Sequence, residues 1–153
     1  MSAAIMLKAV GGGEKGGSES WMEFGKTAMA SYLLTAGVTY SLKELCSERR
    51  PDGSDRRSLP SGHAAFSFAG ATVLRHECGH LSPWVAVGGY GLATFTAARR
   101  VIRDRHYVHD VCAGAAIGAG TTELVYFLKK KMLKSRNVDL SFDGRQLYFA
   151  VRW

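Results

Sequence analysis

A chain of 153 residues, 46% of them hydrophobic, can bury one core and is too short for two. Lysine and arginine outnumber acidic residues 20 to 13, a formal charge of +7, yet nothing in their order resembles a nucleic-acid module, so the cations suit a smaller anion or an anionic surface. Cys46, Cys78 and Cys112 are odd in number and lack ligand spacing, which excludes a disulfide framework and a zinc ribbon, and a mean hydropathy of -0.06 leans away from a polytopic membrane protein.

Met1 to Val10 is mildly apolar with no opening cap, and Gly11 to Gly17 is a glycine-rich break. This start suggests the tail of a helix whose beginning, with any further upstream helices, is missing; no signal peptide of the usual kind is expected in it. The pattern is helical from Trp21 to about Leu45, and Pro51 to Leu59, with Pro-Asp-Gly and two arginines, is a loop. A second helix is expected from about Ser61 to Cys78, stopped by Gly79, and a third from Pro83 to Arg99. A basic loop, Arg99 to Arg105, leads to a fourth helix that begins near His106 and runs past Leu128 into Lys129, Lys130 and Lys131, cations suited to a helix carboxyl end. Gly114, Ala116, Gly118 and Gly120 permit close helix approach, in a soluble bundle as much as in a membrane. Val138, Leu140 and Phe142 alternate with polar residues, Asp143-Gly144 makes a turn, and Leu147, Phe149, Val151 and Trp153 alternate again. The expected fold is all-α: a bundle of about four to five helices over residues 1–136, with a carboxyl-terminal β-hairpin over 137–153 packed on it.

Three groups of residues carry chemistry, in order along the chain. Lys43 and Arg50-Pro51 come first; seven residues apart, the two cations are expected on one face at the end of the first long helix. Pro60-Ser61-Gly62-His63 follows at a helix start, where free amides and the positive end of the helix dipole form an anion site and glycine allows close approach. Arg100, His106 and Asp110 complete the set, the last two at i, i+4, so that a carboxylate can hold an imidazole in one tautomer. Cations, helix-terminal amides, two imidazoles and a carboxylate are what phosphoryl transfer through a histidine nucleophile needs, with no metal required.

The three groups together resemble the signature of the type 2 phosphatidic acid phosphatase (PAP2) superfamily, shared with bacterial acid phosphatases and vanadium haloperoxidases. The resemblance covers about Trp21 to Lys131. It implies His106 as nucleophile through a phosphohistidine, Asp110 as its orienting partner, and His63 as the acid that later activates water. It implies Lys43, Arg50, Ser61, Gly62 and Arg100 as phosphate-binding residues. Arg99 stands where the family usually has serine, which removes a hydrogen bond or adds a cation, and the short loop from Pro51 to Pro60 points to a small, open pocket.

The implied activity is a metal-independent phosphatase acting on a phosphomonoester or a lipid (pyro)phosphate, with no cofactor. The alternatives are a vanadium-dependent haloperoxidase, with vanadate as cofactor rather than inhibitor, and a non-catalytic lipid-phosphate binder. His76-Glu77-Cys78-Gly79-His80 matches the zinc pattern His-Glu-x-x-His, but a helix stop falls within it, and a solvated helix end is the better reading. Arg49, Arg56, Arg57, Arg103 and Arg105 suit a basic rim; His109 should face away from the site; Trp21, Tyr32, Trp84 and Tyr90 suit core or interface positions. The expected partner is a phosphorylated lipid or small phosphomonoester, without nucleic acid. The expected location is a bacterial cell envelope with the site extracytoplasmic, periplasmic rather than integral, because the uncharged stretches fall short of the ~20 residues a spanning helix needs, and membrane association accompanies it.

Overall fold

The structure, a computed structural model, describes residues 17–135, 138–143 and 146–151, with side chains from 21 to 133. Four helices, α1 (Gly17–Cys46), α2 (Gly62–Cys78), α3 (Pro83–Ile102) and α4 (Val108–Ser135), make up the bundle. The expected helical remnant at Met1 to Val10 lies outside the described residues.

Local chemistry sets the helix ends. Ser61 caps α2 with extended backbone, its hydroxyl accepting from the Ala64 amide, and Ser82 caps α3 ahead of Pro83 at the first helical position. At the start of α4 the Asp110 carboxylate reaches back to the Tyr107 amide at 2.9 Å, as the acidic member of a capping box does. α1 and α3 give way to Ser47 and Asp104 in the left-handed region, at φ 40° and 51°, a conformation that short polar side chains tolerate.

Three expectations change at these ends. Because α1 stops at Cys46, Arg50 does not share a helix face with Lys43; it stands in the following loop, where its amide donates to the Asp55 carbonyl at 3.0 Å. Because α4 starts at Val108, His106 precedes the helix, and its closeness to Asp110 comes from the capping turn rather than from helical spacing. Arg100, expected in a loop, lies in the last turn of α3.

α2 packs against each of the other three helices. Gly114 and Gly118 make its approach to α4 close: a Cβ on Gly114 would overlap the Ser61 carbonyl, and one on Gly118 would overlap that of Ala65. The bundle's interior is small and hydroxylated. Ala64, Ala65 and Ala69 are fully buried, as are Ser31, Thr35, Thr39, Thr72 and Thr122. Thr35 and Thr121 share a hydrogen bond of 2.7 Å between α1 and α4, and Thr72 meets the Tyr90 hydroxyl at 2.9 Å between α2 and α3.

Large apolar side chains instead face outward, Trp84 at 78%, Leu92 at 68% and Leu33 at 66% exposure among them. Small residues at helix contacts under a large apolar exterior are the packing pattern of bundles surrounded by lipid. Among the described residues one helix, Val108–Leu133, is long and apolar enough to cross a membrane, with a mean hydropathy of 1.4. That span exceeds the uncharged stretch expected from sequence because a few charged residues are tolerated within it.

β1 (Val138–Asp143) and β2 (Gln146–Val151) pair antiparallel, Val138 opposite Val151. Their joining turn and side chains lie outside the described residues, so the fold class rests on the four helices.

Candidate active site

The carboxyl ends of α1 and α3 and the amino ends of α2 and α4 meet at one end of the bundle. Ser61 donates its amide to the Asp110 carbonyl at 2.9 Å, fastening the start of α2 to the start of α4. The Ser61 amide is thereby taken up, and its hydroxyl caps the helix. The anion-facing amides at this helix start are then those of Gly62 and His63, which have no carbonyl four residues back within α2. A Cβ on Gly62 would meet only Thr39 and the Lys43 stem, at 3.9 and 4.0 Å, which places Lys43 beside that amide.

The cations converge from three segments. Lys43 Nζ donates to the Arg57 carbonyl at 2.9 Å, which holds it over the loop. Arg50 Nε lies 2.8 Å from Asp55 Oδ1 as an ion pair out of hydrogen-bond alignment. Burial lowers the pKa of Lys43, and Arg50 lowers it further, against the opposing pull of Asp55 and Asp110. Arg100 is likewise pushed down, by burial and then by Arg103, Arg105, Arg50 and Arg99. So many cations at one place, only some of them paired with a carboxylate, suit a multiply charged anion.

Both imidazoles feel this field. His106 is nearly inaccessible, at 5% exposure, and its pKa falls below the ordinary imidazole value through burial, then Lys43 and Arg50, while Asp110 pulls the other way. His63 is lowered by burial, then Arg100, Arg50 and Lys43. The same cations thus act on both rings, which puts His63 and His106 around one anion seat. All these groups lie outside the apolar span of α4.

His106 Nδ1 stands 3.5 Å from Asp110 Oδ2, near enough for an ion pair and too long for a full hydrogen bond. That oxygen already accepts from Tyr107 and from the buried Ser58 hydroxyl. Ser58, unflagged by sequence, is held by its amide bond to the Glu48 carbonyl at 2.9 Å. His109, expected to face away, is exposed yet has Nε2 at 2.9 Å from Glu48 Oε1 and 3.2 Å from Asp110 Oδ1. It ties the loop after α1 to the Asp110 carboxylate. A histidine with a neighbouring acid was the only sequence signal for His109, a common one, and Ser58 had none.

The other candidates are placed elsewhere. His76 stacks on Tyr126 at 4.1 Å and bonds Glu123 at 3.0 Å, Glu77 accepts from the Tyr126 hydroxyl, and α2 ends at Cys78, so the His-Glu-x-x-His run does not form a metal-binding face. Arg99 lies over the Phe95 ring at 5.9 Å and, with Arg100 and Arg103, lines a cleft of about 320 Å³. Arg57 and Arg105 pair with Glu44 and Asp52 at 2.7 and 3.3 Å, the behaviour of a basic rim.

Fold and site together define a helical protein with a polyanion seat and two histidines placed to act on it. The family model of the PAP2 superfamily matches residues 39–133, from the end of α1 through every site residue, and the chain belongs to that superfamily. It is 40% identical, over 122 residues, to a lipid A 1-phosphatase of Porphyromonas gingivalis, a match covering 80% of this chain and 27% of the relative. It is 30% identical, over 107 residues, to a PA-phosphatase related-family protein of Dictyostelium discoideum, covering 62% of this chain and 40% of that one. The chain therefore spans well under half the length of either relative. No solved structure matches it.

Proposed function

We propose that the chain carries the catalytic end of a phosphatase that releases phosphate from a lipid (pyro)phosphate or a related phosphomonoester through a phosphohistidine. The observation that carries this reading is the junction of the two helix starts: the Ser61 amide bonds the Asp110 carbonyl at 2.9 Å, which sets the His63 end of α2 against the His106 and Asp110 turn, with Lys43 beside Gly62. The lipid A 1-phosphatase named among the relatives supports a lipid phosphate as substrate.

Lys43, Arg50 and Arg100, with the Gly62 and His63 amides, hold the nonbridging oxygens. His106 turns Nδ1 toward Asp110, so Nε2 attacks phosphorus while the P–O bond to the leaving group breaks. His63 gives that oxygen a proton. Water then attacks the phosphohistidine, His63 takes its proton, and phosphate leaves with Nε2 regenerated. No metal enters these steps, and vanadate would occupy the same seat as an inhibitor.

The location in this reading is a bacterial envelope. α4 crosses the membrane with Lys129 to Lys131 on the cytoplasmic side and the site outside, while α1 and α3 turn their apolar flanks to lipid. This reverses the preference for a periplasmic protein drawn from composition. A carboxyl-terminal hairpin packed on the helices belongs to the same proposal.

The test is phosphate release from a panel running from para-nitrophenyl phosphate to prenyl and lipid A phosphates, on the native chain and His106→Ala. The variant should lose at least about 10³-fold in turnover, the scale left when a nucleophile is removed and binding remains. Full turnover by His106→Ala would refute the assignment.

A further inference from the structure

The second notable cavity is apolar and lies outside the catalytic end. A groove of about 350 Å³ runs between α1, α2 and α3, with Tyr32, Ser67, Gly70, Leu74, Leu92 and Thr96 among its walls. Leu92 and Thr96 also line the arginine cleft, so the groove and the cationic cleft adjoin along α3. Arg100 lies four residues beyond Thr96, and His63 four residues before Ser67, so each helix presents one face that passes from catalytic group to groove wall. Glycine makes the room: a Cβ on Gly70 would stand 2.6 Å from the Tyr32 hydroxyl, and one on Gly89 3.0 Å from Leu74.

We infer that this groove holds one alkyl chain of the substrate, laid along α2 and α3 while the phosphate sits among Arg100, His63 and Lys43. The inference rests on the phosphatase reading above and adds which surface receives the tail. Charge complementarity selects the occupant: the cleft is lined by Arg99, Arg100 and Arg103 and the adjoining groove by mainly apolar side chains, which matches an anionic head joined to an apolar tail.

The dimensions set its length. Leu74 is eleven residues beyond His63, and Gly89 eleven before Arg100, about 16 Å of helix at a 1.5 Å rise. An extended alkyl chain of ~1.5 Å bonds advances roughly 1.25 Å per carbon, so the groove accommodates roughly a dozen carbons. The volume agrees, since a cavity of about 350 Å³ holds roughly a dozen groups at the ~30 Å³ each of a water molecule.

The test measures kcat/KM for alkyl phosphates from butyl to hexadecyl, each below its micellar concentration, on the native chain, Thr96→Phe and Ser67→Phe, with para-nitrophenyl phosphate as the tail-free control. On the native chain, kcat/KM should rise by up to about fourfold per methylene and level off near a dozen carbons. Both variants should flatten that rise while para-nitrophenyl phosphate turnover stays within about twofold. A native chain that hydrolyses every alkyl phosphate equally, or variants that keep the rise, would overturn the groove and leave the phosphatase standing. A native chain that releases phosphate from nothing would overturn both. Should both variants fail to fold, an alkyl phosphonate with a mid-chain diazirine decides: labelling of Tyr32, Leu74 or Leu92 supports the proposal, and labelling only elsewhere, as when a protein segment covers the groove, overturns it.

Discussion

Gly118 and Gly120 lie two residues apart in α4, and the same change should move them in opposite directions. A Cβ on Gly118 would overlap the Ala65 carbonyl oxygen and stand 2.8 Å from its carbon and 2.9 Å from the Ala69 nitrogen; one on Gly120 meets nothing within 4 Å. Alanine in a helix gains about 0.8–1.0 kcal/mol over glycine, and at Gly120 that gain is unopposed. At Gly118, restoring ordinary contact at about 3.5 Å with the overlapped Ala65 oxygen requires α2 and α4 to part by more than ~1 Å along a backbone that has no side chain to yield. Overpacking of this kind costs about 1–3 kcal/mol, and a backbone-to-backbone clash belongs at the upper end.

The helix-forming gain is common to both, so the two variants should differ by the overpacking cost, roughly 1–3 kcal/mol. In a domain of this size that separates their Tm values by roughly 2–12 °C, readable by thermal unfolding in one buffer or detergent. Activity gives a second readout. Parting α2 from α4 loosens the Ser61 to Asp110 bond and displaces His63 relative to His106, and misplacement on the scale of ~1 Å costs about 10²-fold in rate. Gly118→Ala as stable and active as Gly120→Ala would refute the close packing and with it the way the site is held.

The pH profile follows from the cations. Attack needs neutral His106 and a proton on His63; both pKa values are pushed below the usual ~6.5, so kcat/KM should rise through the first, fall through the second and peak on the acid side of neutrality. A profile climbing steadily to alkaline pH would contradict that field. Ser58→Ala removes a buried charge-assisted hydrogen bond from Asp110 and should cost about 1.5–3 kcal/mol of stability and lower kcat with KM unchanged, whereas an effect on stability alone would make Ser58 merely structural. Arg99→Ser should leave kcat within about twofold and raise KM for anionic substrates at low salt, with the difference vanishing near 1 M salt, where the screening length is ~3 Å.

What the sequence made legible was family and helix order. Ser61, Ser82-Pro83 and the three closing lysines mark helix ends by mechanisms that act within a few residues, and those ends fall where expected to within a few positions. The family was legible because phosphate handling restricts the residue types its motifs use. The placement of the motif residues was less so. Arg50 and His106 were read as helical because their spacings, seven and four, coincide with helical periods, yet the loop's Arg50 to Asp55 pairing and the Tyr107 cap set their positions. Ser58 and His109 escaped because their roles arise from contacts 52 and 61 residues distant in sequence.

Location shows the limit most clearly, because an average conceals an arrangement. A mean hydropathy of -0.06 combines charged loops at the catalytic end with helices whose apolar residues point outward, and the average falls where a soluble protein's does. Periodicity cannot correct it, since a helix with threonine and alanine inside and leucine outside has a stripe just as a soluble helix does, with the opposite face buried. Only packing assigns the faces. Ser31, Thr35 and Thr39 descend one side of α1 into the bundle while Met29, Leu33 and Tyr40 stand outside, and the Ser31 and Thr35 hydroxyls donate to the carbonyls four residues back, so that most of this hydroxylated face is satisfied within its own helix, the Thr39 hydroxyl excepted. The arrangement that turns the apolar faces outward also opens the groove beside α1. In the proposed reading, a phosphate bound at the bundle's end and a tail running down its side would be two consequences of that one packing choice.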